Sequence, residues 1–192
     1  MPAPTASNMV DRVDDADRPM GTVRRDRVFL DHAGFRVVHI FVFDPHGSLL
    51  LQRLSSKRER NPLKWGSSVA GYVRVGEDYA DAAQRRLREE LGLVADVAKF
   101  GNTVMFDQGA RKFISLFLAS ARSSDLAIAE PDHIDKIEFV PLQDIANALR
   151  LKPTEFTETF LFVFRFFQET LRLTGPDGWV KWTGPASVRE AL

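Results

Sequence analysis

Apolar positions along this chain come in short dense runs separated by charged or turn-rich stretches. The densest run, Phe35–Phe43 (FRVVHIFVF), is β-branched or aromatic at nearly every position. That pattern predicts a strand buried on both faces. Asp44-Pro-His-Gly47 is a turn signal, and residues 48–53 (SLLLQR) read as the returning strand. A polar loop follows at 54–64, with Lys57, Arg58, Arg60 and Lys64 as its basic residues. Residues 67–75 read as strand and connection. Residues 79–91 read as a helix with Asp78 as N-cap and Gly92 as C-cap. Strand-like pieces recur at 94–106, 112–118 and 136–140. Pro141 opens a short helix to 149, and a last helix covers about 157–171. Near the start, apolar-bearing pieces at 9–13 and 20–23 flank the turn-rich DDADRP and predict a small hairpin.

Strands interleaved with few helices predict an α/β (α+β) architecture, a mixed β-sheet sandwiched between helices, rather than a doubly wound sheet. The domain is expected over residues 9–173. Residues 1–8, small and polar, are expected to be disordered, and 174–192 form a tail. Phe156, Phe160, Phe162, Phe164, Phe166 and Phe167 crowd the last helix and its approach. They read as core facing the sheet, with the excess, and Trp179 and Trp182 in the tail, leaving a homodimer surface open.

Composition narrows the classes. The 26 basic and 26 acidic residues balance to zero formal charge, so a duplex nucleic-acid binder is not expected. The chain has no cysteine, which removes disulfides, zinc–thiolate sites and thiol nucleophiles. No apolar run approaches the roughly 18 residues needed to span a bilayer, and residues 1–8 lack the pattern of a secretory signal. A cytoplasmic location is the expectation.

The chemistry concentrates in residues 71–93, GYVRVGEDYADAAQRRLREELGL. On a helix, Ala80, Ala83, Leu87 and Leu91 make one apolar stripe that anchors it. Glu89 and Glu90 flank that stripe near the helix end, and Glu77 lies in the loop before it. Carboxylates so clustered repel one another unless a cation lies between them. Hard oxygen ligands at this spacing suit Mg²⁺ or Mn²⁺. The alternative is a solvated face with ion pairs Arg85–Glu89 and Arg86–Glu90.

The segment resembles the Nudix box, G-x5-E-x7-R-E-U-x-E-E-x-G-U, with U a bulky aliphatic residue. Gly71, Glu77, Arg85, Leu87, Glu89, Glu90, Gly92 and Leu93 match eight of its nine defined positions. The chance of that match per window is below about one in ten million at average residue frequencies. The resemblance implies a divalent cation, Mg²⁺ or Mn²⁺, beside a small-molecule diphosphate such as a nucleoside diphosphate derivative, and hydrolysis of the diphosphate bond by water. It implies Glu89 and Glu90 as metal ligands, joined by the backbone carbonyl near Gly71, and Arg85 holding Glu77 in place. Further stretches, RPMGTVRRDRV, FRVVHIFVFD, LLLQRLSSKRERNPLKWGSSVAGYV and EFVPLQDI, resemble a Nudix subgroup close to isopentenyl-diphosphate isomerase, over roughly residues 10–170.

The chain departs from the box at Arg86, where a glutamate belongs. A guanidinium neither ligates metal nor takes a proton. Either the metal count falls, another residue supplies the base, or the protein is a weak or inactive scaffold that binds a nucleotide or a partner protein. His133 is the named substitute base or ligand, since some relatives carry a second functional glutamate near that position, and Asp132 and Glu130 share its loop. Isomerase activity is not expected. The cysteine that the isomerase resemblance requires is replaced by Ala70, and Phe35 and Tyr72 stand about where its metal-binding histidines would be. His32, His39 and His46 show no metal-like spacing. Arg53, Lys57 and Arg60 are candidate contacts for substrate phosphates, with Arg58 and Lys64 in the same basic loop. Phe106 or Trp65 could stack a base.

Overall fold

A computed structural model describes residues 8–174. The element order is β1 (Met9–Val13), β2 (Pro19–Arg24), β3 (Phe35–Phe43), β4 (Leu49–Leu54), β5 (Trp65–Gly66), β6 (Val69–Tyr72), α1 (Tyr79–Leu91), β7 (Ala98–Asp107), β8 (Ala110–Ser120), β9 (Ile134–Val140), α2 (Leu142–Leu151) and α3 (Glu158–Thr174). The expected disordered segment falls almost wholly outside the described residues, as do Trp179 and Trp182.

β1 and β2 form a separate hairpin, and the other seven strands make one mixed sheet. β3 is its spine, parallel to β8 and antiparallel to β6. Its pattern requires cover on both faces, and it gets it. Phe35, Val37, Phe41 and Phe43 pack on the side where α3 supplies Phe160, Val163, Phe164 and Phe167, and α2 supplies Ile145. Val38, Ile40 and Val42 pack on the other side, against Ala82, Ala83, Leu87 and Leu91 of α1. Phe160, Phe164 and Phe167 are fully buried, and Phe162 and Phe166 partly so.

The β3–β4 turn is held by Asp44, whose Oδ1 accepts the N–H groups of His46 and Ser48 at 2.8 Å. β7 and β8 turn through Gln108 and Gly109, both at positive φ, as a two-residue hairpin of that twist requires. The strand expected from 94 begins at Ala98, because 94–97 has no ladder partner.

The feature that positions the site is a split. β3 and β4 share one paired position, Phe43 with Leu49, and then part. β6 fills in beside β3 over Val37–Ile40, while β5 and β9 pair with β4. Ser68, fully buried, bridges the divergence: its hydroxyl accepts from Val42 N–H at 2.8 Å and donates to the Leu50 carbonyl at 2.5 Å. Backbone groups that parting strands leave unpaired must find such partners.

The N-terminal hairpin braces the loop before α1. Asp17 accepts from Arg36 Nε at 2.7 Å and from the Tyr79 hydroxyl at 2.9 Å. Asp11 accepts from Gly76 N–H at 3.3 Å. At its base, Val13 N–H donates to the Gly34 carbonyl. A β-carbon on Gly34 would stand 2.4 Å from the Val13 oxygen, so only glycine fits there.

Candidate functional site

Helix α1 has the boundaries the spacing predicts. Asp78 caps it, accepting from Asp81 N–H at 2.8 Å, and Gly92 ends it at φ 62°. The buried face differs from expectation. It centres on Ala83, Leu87 and Glu90, with Ala82 and Leu91 beside them, and this turns Ala80 out to solvent. Glu90 therefore lies within the helix's packed face instead of flanking it, only 3% exposed.

Around that end of α1 the charges interlock. Arg85 grips Glu77 with two parallel hydrogen bonds, 2.7 and 2.8 Å, and donates to the Tyr72 carbonyl at 3.0 Å. Glu77 in turn accepts Arg74 N–H at 2.9 Å, which fixes the loop against β6. Glu89 accepts from Arg85 at 2.9 Å, Arg86 at 2.7 Å and Arg74 at 3.0 Å. Arg86 also pairs with Glu90 and reaches Glu130 at 3.3 Å. The second Glu90 oxygen accepts from Gln52 Nε2 at 2.5 Å. One guanidinium thus joins three carboxylates, two from α1 and one from the loop before β9.

The stem of Arg86 lies over Gly71. A β-carbon there would be 2.5 Å from Arg86 Nε and 2.7 Å from its Cδ. Glycine at the first box position is thus favoured by the packing of Arg86 across it. Arg86 Nε is buried with no hydrogen-bond partner.

Burial pushes the Glu90 carboxyl above its ordinary range, against the opposing pull of Arg86. Glu77 and Glu89 move the other way. Burial would raise them, but the bonds from Arg85 to Glu77 and from Arg86 to Glu89 outweigh it and hold both below the usual carboxylate range. The glutamate oxygens are the donor type that Mg²⁺ and Mn²⁺ take. Arg86, however, fills the space they enclose, and each Glu90 oxygen is already engaged. Among the described residues no group of three or more Asp, Glu or His is arranged to hold a metal. With Arg86 in place the residues do not fit a divalent ion.

These groups form one wall of a cavity of about 420 Å³ opening at the sheet split. Seven cationic side chains line it, from Arg25 after β2 to Lys112 on β8, against four carboxylates, Glu89, Glu90, Asp107 and Glu130. Phe35 and Tyr72 pack at 5.4 Å between ring centroids, and Phe29 meets Phe35 at 5.5 Å. Arg25 rests on the Tyr72 ring at 4.7 Å and Arg60 on Phe29 at 4.0 Å.

Of the proposed phosphate contacts, Arg60 lines this cavity; Arg53 and Lys57 do not. They pair outward, Arg53 with Asp135 at 2.7 Å and Lys57 with Asp132 at 2.6 Å, because β4 and its loop turn those side chains to the far rim. Arg58 does line it. His133 is exposed at the mouth, its Nδ1 3.3 Å from Arg58. Glu130, from the same loop, is the residue brought into the carboxylate cluster. Trp65 and Phe106 lie outside the cavity's lining.

Sequence reading passed over two cavity residues. His39 is buried on β3 with Nδ1 2.8 Å from Ser67 Oγ, and burial, reinforced by the Lys112 charge, pushes it down to about 3. Lys112, also buried, donates to Asp107 at 2.5 Å and Thr159 at 3.0 Å. The available signal was the presence of a histidine and a lysine inside otherwise apolar strands.

A family model described as NUDIX domain matches residues 34–160. An isopentenyl-diphosphate Delta-isomerase 2 from Aromatoleum aromaticum is 30% identical over 155 residues, covering 78% of this chain and 79% of that one. An uncharacterized Nudix hydrolase from Pseudomonas aeruginosa is 32% identical over 118 residues, 61% of this chain and 70% of that one. In structure, a Deinococcus radiodurans protein aligns with TM-score 0.71 at 20% identity, covering 82% of this chain and 98% of that one. The NUDIX domain of Shewanella oneidensis NrtR, solved with ADP ribose, aligns with TM-score 0.56 at 15% identity, covering 78% and 99%. These likenesses bear out the expected mixed sheet between helices.

Two outcomes follow from this geometry. Gly71→Ala should cost about 1–3 kcal/mol, the scale of forced overpacking, and within about 0.5 kcal/mol of nothing in an Arg86→Ala background, read by a denaturation double-mutant cycle. An equal cost in both backgrounds would show that Arg86 does not set the constraint. His39 is neutral when folded, while unfolded it protonates near 6.5. Its contribution to stability is therefore complete above pH 6.5 and is lost as pH falls toward about 3. His39→Gln should flatten the stability–pH slope between about pH 6.5 and 4.5, worth up to about 1.4 kcal/mol per unit in the wild type. Parallel slopes would contradict this.

Proposed function

The chain belongs to the NUDIX domain family, and from that premise we propose that it binds a small diphosphate, such as a nucleoside diphosphate derivative, in the cavity beside α1 and hydrolyses the bond between its phosphates. The observation that carries this reading is the cavity's charge: seven cationic groups against four carboxylates, on a wall built by the box helix. A diphosphate brings several negative charges and an array of acceptor oxygens, the natural complement of guanidinium forks.

Each residue then has a task. Arg25, Arg58 and Arg60 take phosphate oxygens at the mouth. Arg85 holds Glu77 and so the loop that β6 and α1 share. In the reaction a water oxygen bonds to phosphorus, the bridging P–O bond breaks with its electron pair going to the departing phosphate, and the water proton passes to a base. Glu90, which lines the cavity and whose affinity for a proton burial has raised, is the proposed acceptor, through an oxygen that Gln52 or Arg86 must release. Glu89 shares the cluster and orients Arg85 and Arg86. His133 at the mouth is the second candidate base. The family resemblance implies Mg²⁺ or Mn²⁺ on Glu89, Glu90 and the Gly71 backbone; both of those carboxylates are already engaged by Arg86, and the chain's own groups carry the steps above.

A second reading, a protein that binds a diphosphate or nucleotide without turnover, is favoured by the same Arg86 contacts. Isomerisation of isopentenyl diphosphate, the activity in the names of several relatives, is not proposed. Ala70 stands in β6 on the cavity wall with no thiol anywhere in the chain, and Phe35 and Tyr72 fill the neighbouring positions with packed rings.

The test is a panel of nucleoside di- and triphosphates, sugar nucleotides, dinucleotides and prenyl diphosphates, assayed for hydrolysis and for binding. At least one nucleotide derivative should turn over, and Glu90→Gln should slow it by about a hundredfold or more, the scale of a lost base. Binding without turnover selects the second reading, and neither binding nor turnover overturns both. Isopentenyl diphosphate incubated with the protein should yield no dimethylallyl diphosphate. Its formation well above background would reinstate the isomerase.

A further inference from the structure

Arg86 is unusually well seated for a residue that departs from its motif. Its guanidinium touches Glu89, Glu90 and Glu130, and its stem occupies the space left by the absent side chain of Gly71. Three carboxylates so close, one of them buried, need a positive charge between them to coexist. A guanidinium supplies that charge permanently, since it keeps its proton at any working pH. A divalent ion could enter only by evicting Arg86, which would leave the seat over Gly71 empty and forfeit contacts to all three acids. Across the cavity, Arg25 has no carboxylate partner among the described residues. Burial first, and the charges of nearby Arg86, Arg74 and Arg85 after it, push its pKa below the ordinary arginine value. Arg25 thus presents to the cavity, beside the cluster, a positive charge that no carboxylate among the described residues neutralises.

We infer that Arg86 is the resident cation of this site, standing where a divalent ion would otherwise hold Glu89, Glu90 and Glu130, so that the carboxylate cluster is neutralised from within and a diphosphate is held by the cavity's other guanidinium groups, Arg25 foremost, without a metal bridge. The inference deepens the proposed function and rests on its reading of the cavity as a diphosphate site. Guanidinium forks match phosphate oxygens in shape as well as charge, and the expected consequence is a phosphate grip indifferent to chelators.

The full chain is titrated with inorganic pyrophosphate by calorimetry in EDTA and again in Mg²⁺, and with Mn²⁺ alone by electron paramagnetic resonance. Wild type should bind pyrophosphate in EDTA, with affinity within about threefold of that in Mg²⁺, and leave Mn²⁺ free. Arg86→Met should weaken pyrophosphate binding in EDTA by about tenfold or more and open a Mn²⁺ site at least about tenfold tighter than any in wild type. Should that variant fail to fold, wild type and Arg86→Lys decide. The lysine keeps the charge, so it must still exclude Mn²⁺, while wild type must still bind pyrophosphate in EDTA. Mn²⁺ bound by wild type as tightly as by Arg86→Met, or pyrophosphate binding that vanishes in EDTA, overturns the inference. A protein that hydrolyses nothing in the panel but binds pyrophosphate in EDTA, and does so more weakly once Arg86 is replaced, retains this inference and loses the hydrolase. One that hydrolyses, and binds only with Mg²⁺, does the reverse.

Discussion

Strands β3 and β4 meet at a single residue pair and then separate, and the site exists because they do. Had the hairpin zipped fully, β6 would have no edge of β3 to join. Parting leaves backbone groups without partners, and a sheet tolerates that only where something polar fills the gap. Ser68 does so with one hydroxyl used twice. The cavity is thus a consequence of strand pairing, and the chemistry-bearing groups are those that pairing leaves facing inward.

Helix α1 is tied to this opening from two directions. Its apolar face is locked to β3 by Ala83, Leu87 and Leu91. Its charged end is locked to β6 by Arg85 on the Tyr72 carbonyl and by Arg86 across Gly71. The second lock is electrostatic and the first is hydrophobic, so they respond differently to salt and acid. The buried carboxylate Glu90 connects them, packed with the helix's apolar face while paired with Arg86 and Gln52.

What the sequence disclosed and what it withheld divide along range. α1, its caps, the box glutamates and the β3 run were legible, because each depends on neighbours within a turn or on strand alternation. The Arg85–Glu77 clamp followed from the box. Glu130's place beside Arg86 was not legible, since it depends on how a loop more than forty residues away comes to lie. His39 and Lys112 were missed for the same reason: that their strands line a cavity depends on the register of β3, β6 and β8. Ala80 was misassigned because a four-residue stripe leaves the helix face undetermined by tens of degrees, and Glu90, counted as a flank residue, belonged to the buried side. Arg53 and Lys57 were grouped with Arg60 by sequence proximity, whereas Asp135 and Asp132 draw them away.

The N-terminal hairpin carries a lesson about where a domain ends. The shared family region begins at Gly34, yet Arg25 and Phe29 belong to the cavity wall, and Asp17 holds the Tyr79 hydroxyl at the first turn of α1. A domain cut at Gly34 would remove part of the cavity wall and unpin the helix that bears the motif. The matched region and the folded unit therefore differ here: the wall of the cavity begins before Gly34, and a change in the hairpin or the segment after it would reshape the cavity without touching the box.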